Sequence, residues 1–265
     1  LEVICGKDPK DATTSVREVP PFSKNLRTNL KGLKVGLPKE YFSDRVSAET
    51  QSAVQQSIQI AKEAGAEIVD VSIPLSEFGV SVYYLIATSE ASSNLARYDG
   101  VRFGYRADFH KDPAKDTEDF YSRTRGEGFG QEVKRRIVLG TYALSSGYYD
   151  AYYIKACQVR RLLREQFMTA FQKCDVLMSP VTTHPAFKVG ERVQDPLQMY
   201  LNDIFTISTN LAGIPGMSLP AGFSKNGLPI GVQISAAHFQ EQKMLNVAYA
   251  LEQQLKISDR MPNVF

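Results

Sequence analysis

The order of short apolar strands and amphipathic helices along these 265 residues predicts an α/β layered fold. Two observations carry the prediction. A strand, a helix and a second strand follow one another within about 40 residues, the spacing of a βαβ crossover and hence of a parallel strand pair. Strands then continue to lie between helices to the end of the chain, and no internal repeat interrupts the order.

The opening LEVICG sets Leu1, Val3 and Ile4 directly before Gly6, as the last turn of a helix stands before its C-cap. No initiator methionine precedes it, so the chain reads as the C-terminal portion of a longer protein, residues 1–265 forming one part of a single domain. Residues 7–31 are rich in Asp, Thr, Ser, Pro and Lys with little periodicity and read as a surface connection; residues 32–265 read as the α/β layers.

Within those layers LKVGLPKEYF is a strand that Pro38 ends. SAETQSAVQQSIQIAKEAG repeats Ala53, Val54, Ser57, Ile58 and Ala61 at helical spacing, with a Ser or Thr cap in front and Gly65 behind. AEIVDVSIP is a strand closed by Pro74. Helices are expected over 76–97, 126–145 and 148–173, the last with Tyr149, Tyr153, Val159, Leu162, Leu163 and Phe167 on its buried stripe. A buried strand, CDVLMS, stops at Pro180; a helix over 196–212, strands GMSLP and IGVQIS and a helix over 239–255 complete the set.

Composition narrows the function. Thirty-one basic residues against 29 acidic ones leave a formal charge of +2, without the electrostatic footprint of a protein that holds nucleic acid by itself. Three cysteines and three histidines lack ligand spacing, which predicts neither a metal site nor a disulfide framework and makes a reducing, cytoplasmic setting the default. No apolar run approaches the roughly 18 residues of a membrane span.

Candidate nucleophiles are weak. No G-x-S-x-G elbow occurs, and His110, His184 and His238 read as loop residues. Cys157 and Cys174 read as small core residues. Asp175, Glu191 and Asp195 read as solvated loop acids rather than a carboxylate pair. Ser145 and Ser146, in ALSSGYYDAYY, stand at a break between two helices, where a cap supplied by Ser146 or Gly147 is preferred to catalysis. The following Tyr148, Tyr149, Tyr152 and Tyr153 are expected to divide between core and a cleft or partner surface. NLAGIPGMSLPAG stops a helix and turns the chain tightly into a strand, bringing bare backbone to a crowded place.

Three stretches together carry a resemblance: TSEASSNLARYDGVRFGYR (Thr88 to Arg106), GEGFGQEVKRRIVLGTYALSSGYYDAYY (Gly126 to Tyr153) and DPLQMYLNDIFTISTNLAGIPGMSLPAGF (Asp195 to Phe223). With GKDPKDATTS and LKVGLPKEYF they resemble the amidase signature family, in the form found in A subunits of glutamyl-tRNA(Gln)/aspartyl-tRNA(Asn) amidotransferases. The likeness covers nearly the whole chain and is weakest around 107–122 and in the last ten residues.

The resemblance implies a mixed central sheet covered by helices on both sides. It also implies glutamine hydrolysis, the ammonia passing to a B subunit that uses ATP and Mg to activate the misacylated tRNA. A small C subunit would bridge the two, and the subunit seen here would hold no cofactor. The family's nucleophilic serine, second serine and lysine belong to a segment of the form GGSSGGS, which does not occur in this chain, so no catalytic residue is assigned. Substrate-binding positions carry over as Arg136 for the α-carboxylate, Asp203 for the α-ammonium and Tyr83 as a pocket hydroxyl. The alternatives are a stand-alone amidase acting on a small amide, which predicts apolar residues in place of the Arg136 and Asp203 pair, and a non-catalytic interaction domain whose tyrosines bind a partner.

Overall fold

The computed structural model describes residues 1–191, 202–257 and 260. The chain divides into two compact units, one made of Leu1–Val80 with Leu162–Phe265 and the other of Ser81–Arg161.

The first unit holds the sheet. Its strands are β1 (Lys34–Pro38), β2 (Glu67–Val71), β3 (Val176–Pro180), β4 (Gly216–Phe223) and β5 (Pro229–Ala236), in the order β2-β1-β3-β5-β4. Helix α1 (Ala48–Glu63) links β1 to β2, and these two strands pair in parallel from Lys34 opposite Glu67 to Pro38 opposite Val71, which is the crossover expected from sequence. Strand β1 also runs parallel to β3, whereas β5 is antiparallel to both β3 and β4, so the sheet is mixed.

Alternation along β5 decides which layer meets which face. Val232, Ile234 and Ala236 join Val54 and Ile58 of α1 and Val247 and Leu251 of α7 (Glu241–Leu255) in the main core. Gln233 points the other way, where its Nε2 donates to the backbone oxygen of Phe205 in α6 (Ile204–Ala212), so helices cover both faces. All five residues of β3 are buried, as a strand in the middle of two covered faces requires.

Helix α1 starts where sequence places it, with the Ser47 hydroxyl accepting the Thr50 amide, and buries the expected stripe. The connection over 7–31 lies on the surface except at Phe22 and Leu30, which are buried and pin it to the unit. At the start, the Cys5 amide donates to Leu1 O at 2.9 Å, one turn of helix. The expected GMSLP strand extends to Phe223, with a bulge between Pro220 and Gly222.

The second unit departs from the sequence reading in two places. The helix expected over 126–145 is two helices, α3 (Thr117–Gly128) and α4 (Gln131–Ala143), broken at Phe129 and Gly130. Helix α3 begins inside the stretch around 107–122 where the family likeness is weakest, and the Asp116 carboxylate caps it by accepting the Asp119 amide at 2.8 Å. The helix expected over 148–173 begins with a π-helical turn, Tyr149–Ile154, and becomes regular only in α5 (Lys155–Ala170).

The widened turn breaks the expected 3.6-residue stripe. Leu163 and Phe167 are buried as expected, but Tyr149 and Leu162 are exposed. Tyr148, Tyr149 and Tyr152 are all exposed and Tyr153 is half-buried, so none of the four is core. Tyr148 stacks on Tyr142 at 4.6 Å between ring centroids and on Tyr152 at 5.7 Å. Helix α2 (Gly79–Leu95) replaces the expected 76–97 because Pro74–Phe78 forms a 3₁₀ turn before it. The expected helix over 196–212 is described from Ile204 onward; its earlier part lies outside the described residues.

Candidate functional site

In the second unit α2 and α4 pack closely enough that a Cβ on Gly140 would stand 2.0 Å from Thr88 O. Only glycine permits that crossing, and the Ser92 and Thr141 hydroxyls meet at 2.9 Å beside it. The crossing brings Tyr83, near the start of α2, to the side chain of Arg136, one turn before Gly140 on α4.

Arg136 Nη1 donates to the Tyr83 hydroxyl at 3.1 Å, and its Nε donates to Glu132 Oε1 at 2.9 Å. Accepting from the guanidinium leaves the Tyr83 proton available for a ligand. The hydrogen bond to Tyr83 is the largest cause raising the Arg136 pKa above its already high ordinary value; partial desolvation opposes it and Glu132 adds to it. Arg136 is therefore a permanent cation at about 31% exposure, presenting a planar fork beside a phenol.

The neighbouring cations are engaged elsewhere. Lys134 Nζ donates to Gly126 O at 2.7 Å, near the C-terminus of α3, and Arg135 pairs with the other oxygen of Glu132. Sequence reasoning missed Glu132, although its position four residues before Arg136 is the spacing of a helical ion pair.

Asp203 belongs to the first unit, at the N-cap of α6. Its carboxylate makes no capping bond, and desolvation raises its pKa although the residue stays exposed at its edge. The Thr206 hydroxyl donates to its backbone oxygen at 3.1 Å, and among the described residues no side chain donates to its carboxylate. The helix that carries it is fixed at both ends. Gln233 holds Phe205 O at 3.2 Å and the Ser179 hydroxyl at 3.2 Å, and Phe205 packs on Tyr41 with ring centroids 5.1 Å apart. At the far end Gly213 closes α6 with φ +69°, and Gly216 opens β4 where a Cβ would stand 2.8 Å from Thr209 Cγ2. The tight turn read from NLAGIPG is thus built, its crowded backbone meeting Thr209.

The weak candidates remain weak. Ser145 donates its hydroxyl to Tyr142 O at 2.7 Å, a bond that finishes α4, whereas the cap positions on either side of the break are Leu144 and Tyr148 rather than the expected Ser146 or Gly147. Burial pushes the Cys174 thiol up to about 11, far from a thiolate at neutral pH. Asp175 is bonded to Lys243 rather than solvated, Glu191 accepts the Lys188 amide, and Asp195 lies outside the described residues. Among the described residues no helix is long and apolar enough to cross a membrane.

The family model described as Amidase matches residues 1–245. The chain belongs to the amidase family. Within that family it is 62% identical, over its whole length, to the glutamyl-tRNA(Gln) amidotransferase A subunit of Bdellovibrio bacteriovorus, of which it covers 54%. The crystal structure of the corresponding A subunit from Thermotoga maritima matches with a TM-score of 0.71 at 36% identity, over 94% of this chain and 48% of that one. A 6-aminohexanoate cyclic dimer hydrolase matches with a TM-score of 0.73 at 20% identity, over 97% of this chain and 52% of that one, which speaks for the fold alone. The chain spans about half the length of the curated amidase relatives it matches.

Proposed function

We propose that this chain supplies the glutamine-recognition side of an amidase that releases ammonia for a tRNA-dependent amidotransferase. Glutamine hydrolysis breaks the C–N bond of the side-chain amide, water contributes the new oxygen, and glutamate and ammonia leave. Selecting glutamine among amides requires a cation for its α-carboxylate and an anion for its α-ammonium. Arg136, Tyr83 and Asp203 match those needs, and the observation that carries the reading is the Arg136 guanidinium, held at Nε and Nη1 with its remaining N–H groups without a partner among the described residues.

In this reading the serine nucleophile and its activating serine and lysine come from the family's Gly/Ser-rich segment, outside these 265 residues. The ammonia is used by the B subunit, which with ATP and Mg converts Glu-tRNA(Gln) or Asp-tRNA(Asn) in the cytoplasm, while the C subunit bridges the other two. The near-neutral charge of this chain fits a protein that leaves most tRNA contacts to its partner.

The test is ammonia release from glutamine by this chain alone and by the same chain joined to its upstream sequence. Activity in the joined form only is expected, with Arg136→Lys raising KM for glutamine about 30-fold, the equivalent of roughly 2 kcal/mol for losing a bidentate charged contact. Activity in the chain alone would overturn the reading and return Ser145 and Ser146 as candidate nucleophiles.

A further inference from the structure

We propose that Glu132 is a positioning residue for glutamine binding: by holding Nε it sets the guanidinium of Arg136 so that Nη2 and the second N–H of Nη1 are left for the ligand carboxylate. The inference rests on the reading of Arg136 given above and adds a residue to it.

The geometry is that of a guanidinium held at two of its three nitrogens. Glu132 Oε1 accepts from Arg136 Nε at 2.9 Å, and Tyr83 accepts from Nη1 at 3.1 Å. A guanidinium offers a carboxylate either its Nε/Nη2 side or its Nη1/Nη2 end. With Nε engaged, the side-on approach is occupied, and the N–H groups that remain are both of Nη2 and one of Nη1. The ring of Tyr84, whose centroid is 5.9 Å from the Arg136 Cζ, flanks the same guanidinium.

Placing a carboxylate beside an anion-binding arginine would ordinarily repel the ligand. Here the second oxygen of Glu132 pairs with Arg135, so two guanidiniums share one carboxylate and the cluster keeps a net charge of +1 for the single negative charge of the ligand carboxylate. Arg135 in this arrangement does not touch the ligand; it neutralises the residue that orients the arginine that does. The bland alternative is that these (i, i+3) and (i, i+4) pairs are ordinary surface salt bridges adding a few tenths of a kcal/mol to helix stability.

The two roles separate in kinetics. In the full-length protein within its amidotransferase complex, Glu132→Gln keeps the size and an acceptor oxygen but removes the charge. Expected is a KM for glutamine raised roughly 3- to 10-fold with kcat within about twofold, the pattern of lost ground-state orientation. The competitive Ki of 4-aminobutanamide, which is glutamine without its α-carboxylate, should not move. Arg136→Lys is measured in parallel. A raised KM for Arg136→Lys with none for Glu132→Gln would overturn the role of Glu132 and leave that of Arg136 standing. No change for Arg136→Lys would overturn the recognition reading itself. Equal weakening of glutamine and 4-aminobutanamide by Glu132→Gln would assign Glu132 to helix stability alone and overturn the proposal.

Discussion

Asp175 shows how a residue that sequence reads as a solvated loop acid becomes a tertiary link. Its carboxylate accepts the Lys34 amide of β1 at 2.9 Å and pairs with Lys243 of α7 at 2.6 Å, while its own amide donates to Lys34 O at 2.8 Å. Desolvation by itself would raise its pKa, but the Lys243 hydrogen bond, the Lys34 amide and both lysine charges outweigh it and leave the carboxyl below its ordinary value. A depressed folded-state pKa stabilises fully above the unfolded value, about 3.9, and the contribution is lost as pH falls through the folded value. Asp175→Asn is therefore expected to cost about 1 kcal/mol at pH 7 and progressively less as pH falls below about 3.9, measured by urea unfolding at pH 7 and at a series of acid pH values. Arg136 marks the opposite limit of sequence reading. Its residue type and helix were legible, and family resemblance supplied the proposed role, but neither could say that Glu132 and Tyr83 hold two of its nitrogens. That depends on α2 and α4 crossing at Gly140.

At the scale of elements, the helices that sequence placed well are those with a cap and an unbroken stripe. Helix α1 has both: Ser47 in front, and Val54, Ile58 and Ala61 against the sheet. The misplaced ones lack such signals. Gly126, Gly128 and Gly130 blur the boundary between α3 and α4, and the π-helical turn at Tyr149–Ile154 shifts the phase of everything before α5. Gly140, in the middle of α4, looks from sequence like a weak point in a helix. The structure reverses its meaning, since the Thr88 carbonyl occupies the place of a side chain. Gly140→Ala should therefore destabilise despite the better helix propensity of alanine, by about 1–3 kcal/mol as in other overpacked contacts, and, if the proposed function holds, should raise KM for glutamine in the full-length protein by moving Arg136 away from Tyr83. Thermal unfolding together with glutaminase kinetics checks both parts; a more stable variant would show that the α2–α4 contact is looser than described.

For the molecule as a whole, the mixed five-stranded sheet belongs to one compact unit, and the chain leaves that unit at Val80 and returns at Leu162. Protection should follow burial within the unit. Amides of β3 and β5 are expected to exchange slowest in hydrogen-exchange measurements, and those of the exposed stretch before Phe22 fastest. Slow exchange throughout residues 7–20 would mean that this connection is covered rather than exposed. Sequence by itself determined the α/β class, the parallel β1–α1–β2 crossover, most helix positions and the family, because periodicity, caps and motifs are local properties. Only the tertiary structure decided that β5 runs antiparallel between β3 and β4, that four tyrosines stand outside the core, and that Tyr83 and Glu132 hold Arg136. Each of these turns on which distant segments share a contact, and that choice is made by the packing of faces that no local pattern encodes.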